Sequence, residues 1–147
     1  MRNVIFVCTG NTCRSPMAEA IANAYFSAGG ISAMATSCGV YAVPSAAASR
    51  NAVLAMQNYE LCLASHKAKS AKSVDFSAAH LIITMTAGHK AHLLAMDAGL
   101  ADKIYTFAEL CGGSDVSDPY GGDLDVYLDC AAQIKQYIES MDWGKLL

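Results

Sequence analysis

The chain has 147 residues, 54% hydrophobic and 16% charged, which suits one folded domain with a sizeable core and excludes a disordered polypeptide. Ten Lys and Arg against thirteen Asp and Glu leave a net charge of −3, and that mild acidity argues against nucleic-acid or membrane-surface binding, which call for a basic face. No apolar run approaches the length of a membrane span, and the opening MRNVIFVC reads as a strand rather than a signal peptide.

Residues 3–7, NVIFV, are expected as a short buried strand. A helix is expected over residues 15–28. Ser15 can cap it, Pro16 suits its first turn, Glu19 lies toward the positive dipole end, and Gly29 and Gly30 stop it. Met17, Ile21, Ala24 and Tyr25 fall at i, i+4, i+7 and i+8 on one face. Residues 32–37 make a weaker strand. After Pro44 a second helix is expected over residues 45–61, and HLIITM, residues 80–85, is the clearest second buried strand. Thr86 caps a helix over residues 86–98 that Gly99 closes, and residues 103–107 supply a fourth strand. The loop CGGSDVSDPYGGD, residues 111–123, precedes a last helix over residues 124–140, where Leu128, Ala131, Ile134, Tyr137 and Ile138 keep helical spacing.

Strands that alternate with helices predict an α/β fold: a parallel sheet, right-handed crossovers and helices on both faces, in a single domain over residues 1–147. Ligands of such open sheets bind beyond the carboxyl ends of the strands, so the turn from Cys8 to Arg14 lies at the functional edge. Six cysteines, at positions 8, 13, 38, 62, 111 and 130, form no CxxC pair. They read as reduced thiols of a cytoplasmic protein rather than as a disulfide framework.

The segment CTGNTCRSP, from Cys8 to Pro16, carries the sharpest chemistry. A strand-to-helix turn with Gly10 and small neighbours can aim successive backbone N–H groups inward as an anion nest. The helix beyond adds its positive dipole end, and Arg14 adds a planar fork that matches phosphate oxygens. The same field favours the thiolate of Cys8, so its pKa is expected below the ordinary value of about 8.5, and Ser15 can donate to the sulfur. A bare C-x5-R pair is usually an ordinary strand-end cysteine and a surface arginine. The buried strand before it and the capped helix after it turn the pair into a candidate phosphate site. The rival cradle, G-x-x-x-x-G-K-[ST], is not present in the sequence.

Phosphoryl transfer to a thiolate needs an acid for the leaving group and then a base for water. Asp118, in SDPYGG, is the candidate, with Asp115 and Asp123 as neighbouring rivals and Tyr120 as a pocket wall. His89 and His92 lie three apart on the expected third helix and read as an exposed polar face, too few for a metal site. Cys13 is either a packing cysteine or a disulfide partner that protects an oxidised Cys8.

VCTGNTCRSPMAEA together with the late DPYGGD resembles the low-molecular-weight protein tyrosine phosphatases over essentially the whole chain, and HLIITMTAGHK is similar to that family's third strand and following helix. The resemblance implies a four-stranded parallel twisted sheet flanked by helices and no metal or organic cofactor. It implies Cys8 as nucleophile, Arg14 as phosphate clamp, Asp118 as acid then base, Asn11 as holder of the loop's shape, and Ser15 as stabiliser of the thiolate. Thr9, Gly10, Asn11, Thr12, Cys13, Arg14 and Ser15 would surround inorganic phosphate or another oxyanion. Threonine at position 12, where tyrosine-specific members usually carry a bulky aliphatic residue, looks like the protein arginine phosphatase branch. Gly121 after Tyr120 opens one wall and points the same way, while Tyr120 itself can still stack on a phenol ring. His80 stands where the family commonly has an aspartate, and no strong aromatic lies near Val43. Partners implied are phosphorylated proteins, with phosphoarginine ahead of phosphotyrosine. Two alternatives are a non-catalytic phosphate-binding or redox-sensing module and an arsenate reductase. The last shares the loop but needs a further close cysteine pair, whereas Cys111 and Cys130 are nineteen apart (130 minus 111).

Overall fold

The computed structural model describes residues 1–147 and begins with β1 (Arg2–Cys8), a strand buried on both faces. Val4, Phe6 and Cys8 point to one face, Ile5 and Val7 to the other. That two-sided burial explains why the run is continuously apolar rather than alternating. Its neighbours are β2 (Ala33–Gly39) on one side and β3 (Leu81–Thr84) on the other, with β4 (Ile104–Thr106) beyond β3. The four strands are all parallel, in the order β2-β1-β3-β4.

One face is covered by α1 (Arg14–Gly29), α2 (Arg50–Gln57), α4 (Phe107–Cys111), α5 (Leu124–Ser140) and the short α6 (Trp143–Leu146). The other is covered by α3 (Ala87–Met96) and the 3-10 turns Phe76–Ala78 and Ala98–Asp102. The first face buries 27 residues in one cluster and the second only 11. The α1/α5 layer therefore carries most of the hydrophobic stabilisation, at about 1.5–3 kcal/mol for each large side chain fully buried. Phe26 meets Trp143 edge-on at 4.8 Å, and Phe6 stacks on Phe107 at 5.7 Å.

The last helix spans its expected residues, and Asp123 caps it by accepting from the Val126 N–H. Gly30, with φ 64°, ends α1 by donating to the carbonyls of Phe26 and Ser27. The second helix is shorter than expected, starting at Arg50 rather than at residue 45. Residues 45–49 serve instead as a strap. The Ser45 N–H donates to the Ala68 carbonyl, Ala47 bridges Lys67, and the Ser49 N–H donates to the Thr12 carbonyl. The third helix stops at Met96, because Asp97 turns its side chain onto the Gly99 N–H and starts the 3-10 turn.

The chain runs from β1 to β2 on one side and then crosses to β3 on the other. This creates a switch point at the carboxyl ends of β1 and β3, where open sheets hold their ligands. Two distant segments are tied there. The Met85 N–H donates to the Val7 carbonyl, and the Val116 N–H donates to the Met85 carbonyl. The second bond fastens the loop that bears Asp118 to the end of β3.

Candidate active site

Cys8 closes β1 and Arg14 opens α1, so the turn between them is clamped at both ends. Asn11 and Ser15 are fully buried, and Cys8 and Arg14 nearly so. Thr9, Gly10 and Thr12 are half-buried on the cavity side, and Cys13 is buried against the helical layer. The backbone bends at Asn11, whose φ of 55° is left-handed. The side-chain amide and the carbonyl of that residue are all engaged. Its Nδ2 donates to Ser15 Oγ at 2.8 Å and Ser37 Oγ at 2.9 Å, and its Oδ1 accepts from the Lys69 N–H at 2.9 Å. Its carbonyl lies 2.8 Å from His66 Nε2, and Ser37 passes the chain on by donating to Glu19 Oε1 at 2.8 Å. Glu19 is therefore spent on this network rather than on the helix dipole.

The close approach that needs a glycine is at position 39, not at position 10. A Cβ on Gly39 would clash with the Thr9 carbonyl and lie 2.8 Å from the Asn11 nitrogen. One on Gly10 would meet nothing nearer than Thr12 Oγ1 at 3.7 Å. The end of β2 thus presses directly against the back of the turn.

Ser15 does not cap α1 as expected; Cys13 holds the cap position and makes no side-chain cap bond. The Ser15 hydroxyl instead lies 2.8 Å from Cys8 Sγ and donates to the Cys38 carbonyl at 3.3 Å. With Asn11 already donating to it, this hydroxyl can accept from a thiol or turn its proton toward a thiolate. Arg14 Nη1 donates to the Val116 carbonyl at 2.9 Å, and Nη2 makes a longer bond of 3.4 Å to Thr9 Oγ1. The Asp118 carboxylate stands 3.8 Å from Nη2 and is half exposed. Its other oxygen accepts the Tyr120 N–H at 3.1 Å, an Asx turn stiffened by Pro119. The rival acids are occupied: Asp115 accepts from the Ala87 N–H, and Asp123 caps α5.

Cys8, Thr9, Gly10, Thr12, Cys13, Arg14, Asp118 and Tyr120 line one cavity of about 250 Å³. The turn and the Asp118 loop, about a hundred residues apart in sequence, meet across it. The family model for low molecular weight phosphotyrosine protein phosphatase matches residues 3–143. The chain belongs to that family. It is 34% identical to the protein-arginine-phosphatase of Bacillus subtilis, over 95% of this chain and 93% of the relative. The crystal structure of the low molecular weight protein tyrosine phosphatase from T. tengcongensis superposes with a TM-score of 0.90 at 41% identity, covering 95% of this chain and 96% of the other. The YwlE arginine phosphatase, in a mutant with a phosphorylated active-site serine, superposes with a TM-score of 0.87 at 33% identity, covering 92% and 90%. The chain is thus an enzyme, a cysteine-dependent protein phosphatase of the low molecular weight type.

The phosphatase's Cys8 departs from one expectation. Burial is the largest influence on its thiol and pushes the pKa above the ordinary value, against the expected depression. The Ser15 hydroxyl, the N–H groups of Ser15 and Asn11, and the Arg14 charge all pull it back down. Cys38 and Cys130 show what burial does without hydrogen-bond donors: both are pushed up to about 12. Among these three buried thiols, only Cys8 has donors directed at its sulfur. The Cys13 sulfur sits 3.3 Å from Ser49 Oγ and 3.4 Å from the Tyr127 hydroxyl.

A second correction concerns α3. His89 is not on an exposed face; it is buried, with Nε2 2.8 Å from Thr9 Oγ1 and Nδ1 3.1 Å from Thr86 Oγ1. Burial and the Arg14 charge lower its pKa to about 4. His92 is half-buried and packs edge-on against Tyr41. The Val116 carbonyl, His66, Ser37 and Gly39 are further parts of the site that sequence reading passed over. Nothing local in the sequence marks them, since each reaches the turn from another crossover. No group of three or more His, Cys, Asp or Glu side chains converges to form a metal site. No helix is long and apolar enough to cross a membrane.

Proposed function

We propose that this phosphatase hydrolyses phosphorylated protein side chains through a phosphocysteine on Cys8, with phosphoarginine ahead of phosphotyrosine as substrate. The observation that carries the reading is the convergence of Cys8, Arg14 and Asp118 on one cavity of about 250 Å³. A phosphoryl dianion above the turn meets the N–H groups of residues 9–15, the positive end of α1 and the guanidinium of Arg14. Cys8, whose thiol first gives up its proton to solvent and is then held as the thiolate by the Ser15 hydroxyl, attacks phosphorus in line with the leaving group. As the S–P bond forms and the P–N or P–O bond breaks, Asp118 gives its proton to the departing nitrogen or oxygen. Water then attacks the phosphocysteine, Asp118 takes its proton, the S–P bond breaks, and phosphate leaves with Cys8 again a thiolate. Arg14 stabilises the equatorial oxygens in both transfers.

The substrate preference rests on the cavity wall. Thr12, which lines the cavity, carries a hydroxyl where an aliphatic side chain would favour a phenyl ring. Gly121 leaves the rim next to Tyr120 open. Phosphotyrosine remains the second reading because Tyr120, 79% exposed, can stack on a phenol. Relatives carrying both substrate names are similar to this chain. Redox protection belongs to the same reading: a peroxide converts Cys8 to the sulfenic acid, and condensation with the Cys13 thiol gives the disulfide and water. A reducing cytoplasm suits the six free thiols.

Hydrolysis of phosphoarginine and phosphotyrosine peptides by the wild type and Thr12→Ile tests the reading. The phosphoarginine-to-phosphotyrosine ratio of kcat/KM should fall by about tenfold or more in Thr12→Ile. An unchanged ratio removes Thr12 from selectivity. Turnover should vanish in Cys8→Ser while phosphate binding persists, and full activity there overturns the nucleophile.

A further inference from the structure

We propose that His89 is a positioning residue for phosphoryl transfer: it fixes the hydroxyl of Thr9, which braces the guanidinium of Arg14 on the side away from Val116. The inference rests on the reading of Arg14 as the phosphate clamp. Arg14 is held at two points. The 2.9 Å bond from Nη1 to the Val116 carbonyl secures one nitrogen. The other, Nη2, has only Thr9 Oγ1 at 3.4 Å and Asp118 at 3.8 Å. Asp118 is half exposed and must move its proton during the reaction, so it is a poor fixed anchor. Thr9 is the remaining brace, and its hydroxyl is free to rotate unless a partner fixes it.

His89 is that partner. Because Thr9 Oγ1 accepts from Arg14, its one proton is available for His89 Nε2, 2.8 Å away. The opposite nitrogen, Nδ1, then carries the ring proton and donates to Thr86 Oγ1 at 3.1 Å, the same oxygen that accepts the His89 backbone N–H at 3.3 Å. Every donor in this run has one acceptor: Arg14 to Thr9, Thr9 to His89, His89 to Thr86. The run requires a neutral ring. The charged and titratable groups around His89 are Arg14, His92, Asp115 and Asp118. Burial and Arg14 outweigh the two carboxylates and keep the ring neutral at neutral pH. A protonated ring would turn Nε2 into a donor, reverse the Thr9 hydroxyl, and set a second cation near the guanidinium.

A histidine that merely filled the core would make the same burial but not the same kinetics. The brace acts on a group needed most when charge spreads over the equatorial oxygens, so its loss should fall on kcat rather than KM. The experiment is a double-mutant cycle with Thr9→Val and His89→Phe, assayed with p-nitrophenyl phosphate, with Tm recorded for each protein. Each single variant should lose about tenfold in kcat with KM within about twofold of wild type. The double variant should be no slower than the slower single, because both remove one brace. His89→Gln, which keeps an acceptor near the Nε2 position, should restore most of the rate. The proposal is overturned by losses that multiply, by wild-type kcat in Thr9→Val, or by His89→Gln no better than His89→Phe. Should His89→Phe not fold, Thr9→Val and His89→Gln still decide it: wild-type kcat in the first, or a tenfold loss in the second, sinks the relay. Wild-type turnover that disappears in Cys8→Ser stands apart from all of these outcomes, so failure of the relay leaves the phosphatase reading intact.

Discussion

The two walls of the active-site cavity are built on opposite plans. The turn from Cys8 to Ser15 is buried except at Thr9, Gly10 and Thr12, and its central residue, Asn11, commits its side-chain amide and its carbonyl to Ser15, Ser37, His66 and Lys69. The Asp118 loop is exposed, carries Tyr120 almost wholly in solvent, and holds its acid by an Asx turn and a 3.8 Å ion pair with Arg14. The first wall is common to any phosphoryl group and gains from being rigid, since preorganised donors need no rearrangement as charge develops. On the proposed mechanism the second meets leaving groups of different shape and exchanges a proton with water. On that mechanism, rigidity belongs to the wall that meets the phosphoryl group, and exposure to the wall that meets what the phosphoryl group is attached to.

The sharpest way to separate the walls is Asp118→Ala. Loss of the acid should lower kcat by about 10²- to 10³-fold, while Tm stays within about a degree or two, because an exposed side chain with one weak ion pair adds little stability. A large fall in Tm would mean that the second wall is as structural as the first. Asn11→Ala attacks the other side. It leaves Ser15, Ser37 and the Lys69 N–H short of a buried partner and puts alanine at φ 55°. We expect destabilisation of about 3 kcal/mol in urea melts, together with a loss of activity. A variant as stable as wild type would show that the turn keeps its shape without this network. Ser15→Ala is the mildest. The Ser15 hydroxyl pulls the Cys8 thiol pKa down, so removing it must move that pKa further up. At fixed neutral pH there is then less thiolate, iodoacetamide alkylation slows, and its rate–pH curve shifts to higher pH, with kcat falling by about tenfold. A curve shifted to lower pH would reverse the role given to Ser15.

Much of this architecture is legible in the sequence because its signals are local. The β1 run, the Pro16 in the first turn of α1, the α5 spacing and the Asp-Pro turn each declare themselves within a few residues. Asp118, the proposed acid, is set apart from Asp115 and Asp123 only in the structure, where it lines the cavity and the other two do not. Helical spacing sets His89 beside His92 on an expected polar face but says nothing of the Thr9 hydroxyl eighty residues earlier, so its burial is not legible in the sequence. The shortened α2 has the same origin: an Ala-rich segment has high helix propensity, yet residues 45–49 find better partners at Ala68 and Thr12. Burial, the influence that raises the Cys8 thiol pKa, cannot be counted in a motif, whereas charge and hydrogen-bond donors can.

The left-handed bend at Asn11 has one more consequence. Its side chain and carbonyl are secured by residues on β2 and on the segment that follows α2, so the cradle has no stable shape until both have docked. Catalysis in this chain is thus a readout of global cooperativity. Denaturant should extinguish turnover and far-ultraviolet ellipticity along one curve, with no window in which an inactive but otherwise native protein accumulates.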